Sequence, residues 1–207
     1  MTDEQAMWRV QTQDDPEAFT HLVHRWRDAI HRLCARMTGD EHRAEDLAQE
    51  AFTRLYARRK EWQPAAKIST WLWRVAVNLC HDELRRRGRR GETSLEQVEE
   101  EAELPAHLAV VEGTPDESLA DADRAVIVRQ ALMRLPETHR PVVILKHYEG
   151  LKFREIAEVL GIPEGTAKSR MFEALGMLNR RLAPKFKDEY PGAQDALANP
   201  RSRRMRL

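Results

Sequence analysis

The sequence predicts an all-α protein built from two small helical units. Three observations carry this. Apolar residues recur at three- and four-residue intervals through most of the chain. Gly and Pro are sparse inside those periodic stretches and fall at their borders. Between Gly91 and Asp123 stand eleven Asp and Glu and no Lys or Arg, a strip too polar to pack, and it divides the periodic stretches into halves. The 207 residues include 34 basic and 34 acidic ones, so outside the strip cations outnumber carboxylates by eleven. Two basic halves around an acidic spacer suit a polyanionic partner.

Each half has about 90 residues, enough for a modest core. Cys34 and Cys80 lie among apolar helix positions, which argues for buried free thiols in a reducing compartment. The N-terminus, MTDEQAMWRV, lacks a basic-then-apolar leader. No apolar run approaches the roughly 18 residues of a membrane span. A cytoplasmic protein without membrane insertion is expected.

Residues 1–15 are polar and expected to be flexible. A helix then starts at Asp15, with Pro16 in its first turn. It buries Phe19, Leu22, Val23, Trp26, Ile30, Leu33, Cys34 and Met37 and stops at Thr38-Gly39-Asp40. The next runs from about Asp40 to Trp62. It buries Ala44, Leu47, Ala48, Ala51, Phe52, Leu55 and Tyr56 and turns Glu45, Asp46, Gln49, Glu50 and Arg54 outward. Pro64 breaks the pattern within WQPAAKIS, and Ser69 or Thr70 caps a helix over about Thr70–Arg87. One side of that helix is apolar, with Leu72, Val75, Ala76, Leu79 and Cys80. The other side is a stripe of Arg74, Asn78, His81 and Arg85, flanked by Trp71 and followed by Arg86, Arg87, Arg89 and Arg90. Arg neutralises phosphate, Asn reads a base edge and Trp stacks on an unstacked base. A pair of core Trp residues beside a solvated basic face has the same pattern, so Trp71 and Trp73 fit either role.

Residues 91–120 form an acidic linker, expected to be disordered or loosely helical. It is either a solvated spacer or a strip that competes with DNA for a basic surface. Helices resume at Asp121 with Ala125, Val128, Leu132 and Leu135, and PVVILKH follows at 141–147. Residues 150–182, GLKFREIAEVLGIPEGTAKSRMFEALGMLNRRL, read as two helices joined at Gly161-Ile162-Pro163, a helix-turn-helix. The first buries Leu151, Ile156, Val159 and Leu160. The second, from Gly165-Thr166, buries Ala167, Met171, Ala174, Leu175 and Leu178. Its opposite face carries Ser169, Phe172, Glu173, Gly176 and Arg180, with Lys168 at the edge. The tail 184–207 is polar and ends in Arg201, Arg203, Arg204 and Arg206, a flexible basic segment.

Over residues 17–90 and 121–182 the chain resembles the extracytoplasmic-function class of bacterial RNA polymerase sigma factors, in the sigma-seventy family. DLAQEAFTRLYARRKEW is similar to the core helix of that family's region 2. STWLWRVAVNLCHDELRRRGRR is similar to its promoter-melting continuation, with W-L-x-R-x-A-x-N and D-x-L-R-R in order. LPETHRPVVILKHYEGLKFREIAEVLGIPEGTAKSRMFEAL is similar to region 4, with L-P-x-x-x-R, E-I-A and G-T-x-K-S-R in order. The resemblance implies a region 2 bundle over 16–90 and a region 4 helix-turn-helix over 121–183. It implies core RNA polymerase, at its clamp and flap, and promoter DNA as partners, with a separate anti-sigma protein and no cofactor. It places Asp46, Gln49 and Glu50 on the polymerase clamp. It places Trp62, Lys67, Ser69, Thr70, Trp71, Arg74, Asn78, His81, Arg85, Arg86, Arg89 and Arg90 on the melted minus-ten element, around a flipped base. It places Thr166, Lys168, Ser169, Arg170, Phe172 and Glu173 in the major groove of the minus-thirty-five element. The acidic linker would thread the polymerase near the RNA exit path. One departure stands out: the family commonly has G-T-x-x-S-R-x-x-R-A-R, and this chain has Glu173-Ala174-Leu175. A carboxylate there either repels phosphate or accepts from a cytosine amine.

Two other classes compete. Cys80-His81-Asp82 looks like a nucleophile cluster, but neighbours on a helix point apart and cannot form a triad. His31, Cys34, Cys80 and His81 include zinc-ligand types, yet a structural site needs four convergent ligands, and buried free Cys is the simpler reading. A stand-alone helix-turn-helix regulator is the remaining alternative. It would have no use for the Trp/Asn/Arg helix of the first half.

Overall fold

The computed structural model describes residues 1–63, 67–92 and 115–186, the side chains of 90–92 and 115–123 aside. The middle of the acidic linker, the loop residues 64–66 and most of the basic tail lie outside the described residues. Among the described residues eight helices follow in order: α1 Asp3–Gln13, α2 Pro16–Thr38, α3 Glu41–Ala57, α4 Ile68–Glu92, α5 Pro115–Met133, α6 Arg140–Val143, α7 Phe153–Leu160 and α8 Glu164–Leu182. A 3₁₀ turn, Arg59–Glu61, follows α3, and a π-helical segment, Ile144–Tyr148, continues α6.

The first fifteen residues are not frayed. Thr2 Oγ1 accepts from Gln5 N at 3.2 Å and Gln5 Oε1 accepts from Thr2 N at 2.9 Å, a reciprocal capping box that starts α1. Ala6, Met7 and Val10 are buried, and Trp26 Nε1 donates to Asp3 Oδ2 at 3.1 Å. Burial of one short apolar face outweighs the polar composition.

α2 opens as expected, with Asp15 accepting from Glu17 N and Ala18 N, and closes on Gly39 in the left-handed region at φ 72°. α3 stops at Ala57, five residues before Trp62, and the chain tightens into the 3₁₀ turn. α4 begins at Ile68, so Ser69 and Thr70 lie in its first turn instead of capping it. α5 begins six residues before Asp121, and α4 extends to Glu92, so both ends of the acidic strip are helical. The long helices α2, α3 and α4 pack together around Leu22, Ile30, Leu33, Met37, Leu47, Leu55 and Leu72. Trp26 and Trp73 meet edge to face, ring centroids 5.7 Å apart. Cys34 and Cys80 are free and buried together, and their mutual hydrogen bond with burial pushes the Cys80 thiol well up.

Glu83 of α4 is buried and accepts from Arg43 Nη2 at 2.9 Å and Arg87 Nε at 3.2 Å. Arg87 also donates to Asp40 Oδ2 at 2.7 Å, and Asp40 Oδ1 caps α3 through Arg43 N at 2.9 Å. These contacts tie the start of α3 to the end of α4 and hold the Glu83 and Asp40 carboxyls below their usual range.

The two halves also pack against each other. Val142, Ile144, Leu145, Ile156, Val159 and Ala167 belong to the same buried cluster as the residues of α1–α4. At the seam, Gly39 approaches α5 so closely that a Cβ there would sit 3.2 Å from Met133 Sδ and Cε. A Gly39→Ala substitution adds both left-handed strain and that contact. We expect it to cost about 1–2 kcal/mol from the backbone alone, read as a lower urea midpoint at unchanged slope.

Candidate nucleic-acid interface

α4 supplies the first candidate surface. Its apolar side fixes it against α2 and α3, which leaves the stripe on the opposite side. Arg74 and Asn78 are exposed, His81 is half-buried, and Arg85 is exposed and paired with Asp82 at 2.6 Å. Beyond them Arg85, Arg86 and Arg89 line an open depression of about 560 Å³ with Asp82. A concave cluster of guanidinium groups is suited to a phosphate chain. Arg87 is turned inward to Glu83 and Asp40 and takes no part. The Arg90 side chain lies outside the described residues.

The loop before α4 departs from expectation at one residue. Trp62 is 5% exposed and belongs to the core, so its ring does not face a base. Its carbonyl is held instead: Gln11 Nε2 of α1 donates to Trp62 O at 2.8 Å and to Lys60 O at 3.2 Å. Asp14 pairs with Arg59 in the same turn. α1 therefore buttresses the entrance of the loop. The available signal was Thr2-x-x-Gln5, a capping-box pattern at the start of a stretch that composition marks as polar. Trp71, by contrast, is half-buried and packs on the core with one edge. Ser69 and Thr70 are half-buried beside it, and Lys67 is exposed.

The second half covers part of this surface. Lys67 Nζ pairs with Glu155 Oε1 of α7 at 2.8 Å. Arg74 donates through Nε to Val159 O at 3.3 Å and through Nη2 to Glu158 O, two carbonyls of the last turn of α7. A guanidinium there satisfies acceptors left open at a helix C-terminus and complements its dipole. His81 hydrogen-bonds the backbone of Glu137, in the turn between α5 and α6. Its Nε2 is buried without a partner. Three of the residues singled out for DNA, Lys67 before α4 and Arg74 and His81 on it, thus touch the second half in this closed arrangement.

The second candidate surface is α8. Gly161 at φ 65° ends α7, Pro163 precedes α8, and Ala167 and Ala174 are fully buried, which orients the helix. Lys168, Ser169, Phe172 and Glu173 are exposed, and Thr166 and Arg170 are half-buried beside them. Phe172 is 71% exposed. Leu175, expected in the core, is 43% exposed, because the face against α5 and α6 is narrow and Ala174, Met171 and Leu178 fill it. Glu173 pairs with His139 at 2.9 Å.

The α3 residues form a crest between two grooves. Gln49 lines one of about 530 Å³ against α2, with Val23, Arg27, Asp28, His31 and Phe52. Asp46 and Glu50 line another of about 310 Å³ against α4 and are engaged by Arg43 and Arg54. Among the described residues no group of His, Cys, Asp and Glu is arranged to hold a metal, and no helix is long and apolar enough to cross a membrane.

The family models for Sigma-70 region 2 and Sigma-70, region 4 match residues 22–90 and 125–178. The chain is 34% identical over 169 residues to the ECF RNA polymerase sigma factor SigW of Bacillus subtilis, covering 81% of this chain and 90% of that one. It is 32% identical to the ECF RNA polymerase sigma-E factor of Haemophilus influenzae, over 89% of this chain and 97% of that one. Among solved structures, CnrH in complex with the cytosolic domain of CnrY is similar at a TM-score of 0.63 and 18% identity, over 86% and 95% of the two chains. The sigma factor RpoE of Bartonella quintana, in complex with the anti-sigma factor NepR, is similar at 0.62 and 22% identity, over 79% and 96%. At those identities the likeness is one of fold.

Two titratable groups at the seam between the halves, His81 and Glu149, are shifted by burial. Burial, the largest influence, lowers the His81 pKa below its ordinary value, aided by Arg85 and Arg140 and opposed by Glu137. A depressed pKa in the closed form means that closure favours neutral His81. Its contribution is present above the ordinary His pKa of about 6.5 and is lost as pH falls below it. Glu149, whose carboxyl burial raises, titrates in the opposite sense, favouring closure as it gains a proton. We therefore expect the wild-type protein to open as pH falls from 7.5 to 5.5 and His81→Gln to weaken that response, read as radius of gyration by small-angle scattering.

Proposed function

The chain belongs to the sigma-70 family, in its extracytoplasmic-function branch, and from that premise we propose how its two helical units divide the work of promoter recognition. As a sigma factor it directs transcription initiation, and chemistry at the RNA 3′ end belongs to its partner, core RNA polymerase. The α4 stripe binds the melted minus-ten strand, with Arg74 and Asn78 on the strand and Arg85, Arg86 and Arg89 on phosphates. Lys67, Ser69, Thr70 and Trp71 border the extruded base. The α8 face reads the minus-thirty-five element, and Asp46, Gln49 and Glu50 on the α3 crest meet the polymerase clamp. A separate anti-sigma protein is the expected inhibitor.

The observation that carries this division is the pairing, on one chain, of a helix-turn-helix with an outward Asn/Arg stripe in the other half. A repressor needs the first and has no use for the second. The closed arrangement adds a condition: Arg74 cannot hold the carbonyls of α7 and a nucleic-acid strand together, so the halves separate when the promoter is engaged.

Transcription from a library of genomic fragments, with core polymerase and with or without this protein, tests the reading. Initiation at defined sites only when both are present supports it. Specific duplex binding by the protein alone, with no effect on polymerase, supports the stand-alone regulator instead. Arg74→Ala and Asn78→Ala are each expected to lower open-complex formation by about tenfold, measured by permanganate reactivity of unpaired thymines. Core-polymerase affinity should not change in either variant, whereas Gln49→Arg should weaken that affinity.

A further inference from the structure

We propose that Glu173 reads a cytosine in the upstream promoter element, held in place for that task by His139. The inference rests on the assignment of α8 as the helix that enters the major groove.

Glu173 sits in the middle of the outward face of α8, with its side chain 57% exposed. Its neighbours on that face are Ser169, Phe172 and Gly176, all exposed. A mobile carboxylate so placed would repel phosphate and cost affinity. This one is engaged by a neighbour. Oε2 meets His139 Nε2 at 2.9 Å, and His139 Nδ1 meets the Thr138 hydroxyl at 3.0 Å. A carboxylate only accepts, so Nε2 carries the proton, and in the neutral ring Nδ1 accepts from Thr138. The imidazole is itself half-buried at the start of α6. One carboxylate oxygen is thereby pinned to a rigid part of the domain. Among the described residues Oε1 has no partner and remains free to accept.

The major-groove edges of the four bases choose the ligand. Guanine offers N7 and O6, both acceptors, and thymine offers O4 and a methyl group. Neither can donate to a carboxylate. Adenine donates through N6 but sets the lone pair of N7 beside it, against the incoming oxygen. Cytosine donates through N4 and has only a C–H next to it. A pinned carboxylate with one free oxygen therefore selects cytosine. A guanidinium at this position, as in the family pattern, would donate to guanine, so this chain inverts the polarity of the contact.

The test uses the full-length protein with core polymerase and a promoter fragment carrying a randomised upstream element. Wild type should enrich cytosine at one position, and Glu173→Arg should enrich guanine at that same position. Replacing the selected cytosine by 2-pyrimidinone, which lacks the 4-amino group, should weaken wild-type binding about tenfold and leave Glu173→Ala unaffected. His139→Ala should blunt the cytosine preference without altering affinity for non-promoter DNA, and His139→Gln, which restores a donor, should recover it. The proposal is overturned if Glu173→Arg selects the wild-type base, or if the 4-amino group matters equally with and without Glu173. A solvent-facing Glu173 beyond the DNA gives either result while Lys168→Ala and Arg170→Ala still weaken upstream binding. If those two variants also leave the upstream element's contribution unchanged, the assignment of α8 itself fails, and the proposal with it.

Discussion

Everything in the second half is hung on one buried guanidinium. Arg140 donates through Nε to Leu132 O at 3.1 Å and through Nη2 to Met133 O at 2.6 Å and Leu135 O at 3.1 Å. These carbonyls lie at and just beyond the end of α5, where intrahelical donors run out. Nη1 reaches across the seam to Met37 O at 2.7 Å, near the end of α2. Burial lowers the Arg140 pKa, but guanidinium remains charged and supplies donors in a fixed planar fork. No lysine could serve four carbonyls spread over two helix ends. Arg140 thus closes α5, starts α6 and docks the second half on the first.

That docking sets where the nucleic-acid surfaces stand. Of the α4 residues that face away from its own core, Arg74 and His81 are the ones that α7 and the turn before α6 meet. The same chemistry explains both contacts. A cationic, hydrogen-bond-donating stripe accepts a nucleic-acid strand, and it accepts the carbonyl end of a helix as well. The Arg36 guanidinium, 4.2 Å from the centre of the Tyr148 ring and paired with Glu149 at 3.5 Å, repeats the theme further along the seam. By contrast Lys168, Ser169 and Phe172 of α8 and Arg85 and Arg86 of α4 stay exposed. The closed protein therefore leaves the outward face of α8 and part of the basic cluster exposed while covering part of the α4 stripe.

The interior of the first half explains how a stripe of this kind stays in register. Glu83, Arg43, Arg87 and Asp40 form a buried-edge network that fixes α4 against α3. α1 fixes the loop before α4 through Gln11. The outward stripe is thus carried on a helix held at both ends, which limits the ordering entropy left to pay on binding a ligand.

The sequence by itself determined most of the long helices and the faces they bury. Helical periodicity placed Leu22, Ile30, Leu33 and Met37 in the core, helix ends at Gly39 and Gly161, and Arg74, Asn78 and Arg85 on an outward stripe, because those properties repeat within one helix. It was also enough to single out Glu173, whose charge conflicts with its neighbours' expected role. Three things were decided only by the tertiary structure. α1 exists because Met7 and Val10 find partners in other helices. Trp62 is a core residue because α1 covers it. Arg74, Lys67 and His81 are engaged by α7 and the α5–α6 turn, more than 50 residues away in sequence, and no local pattern encodes a contact at that separation. The role of His139 has the same origin: it lies 34 residues from Glu173, and only the packing of α6 on α8 brings the imidazole to the carboxylate.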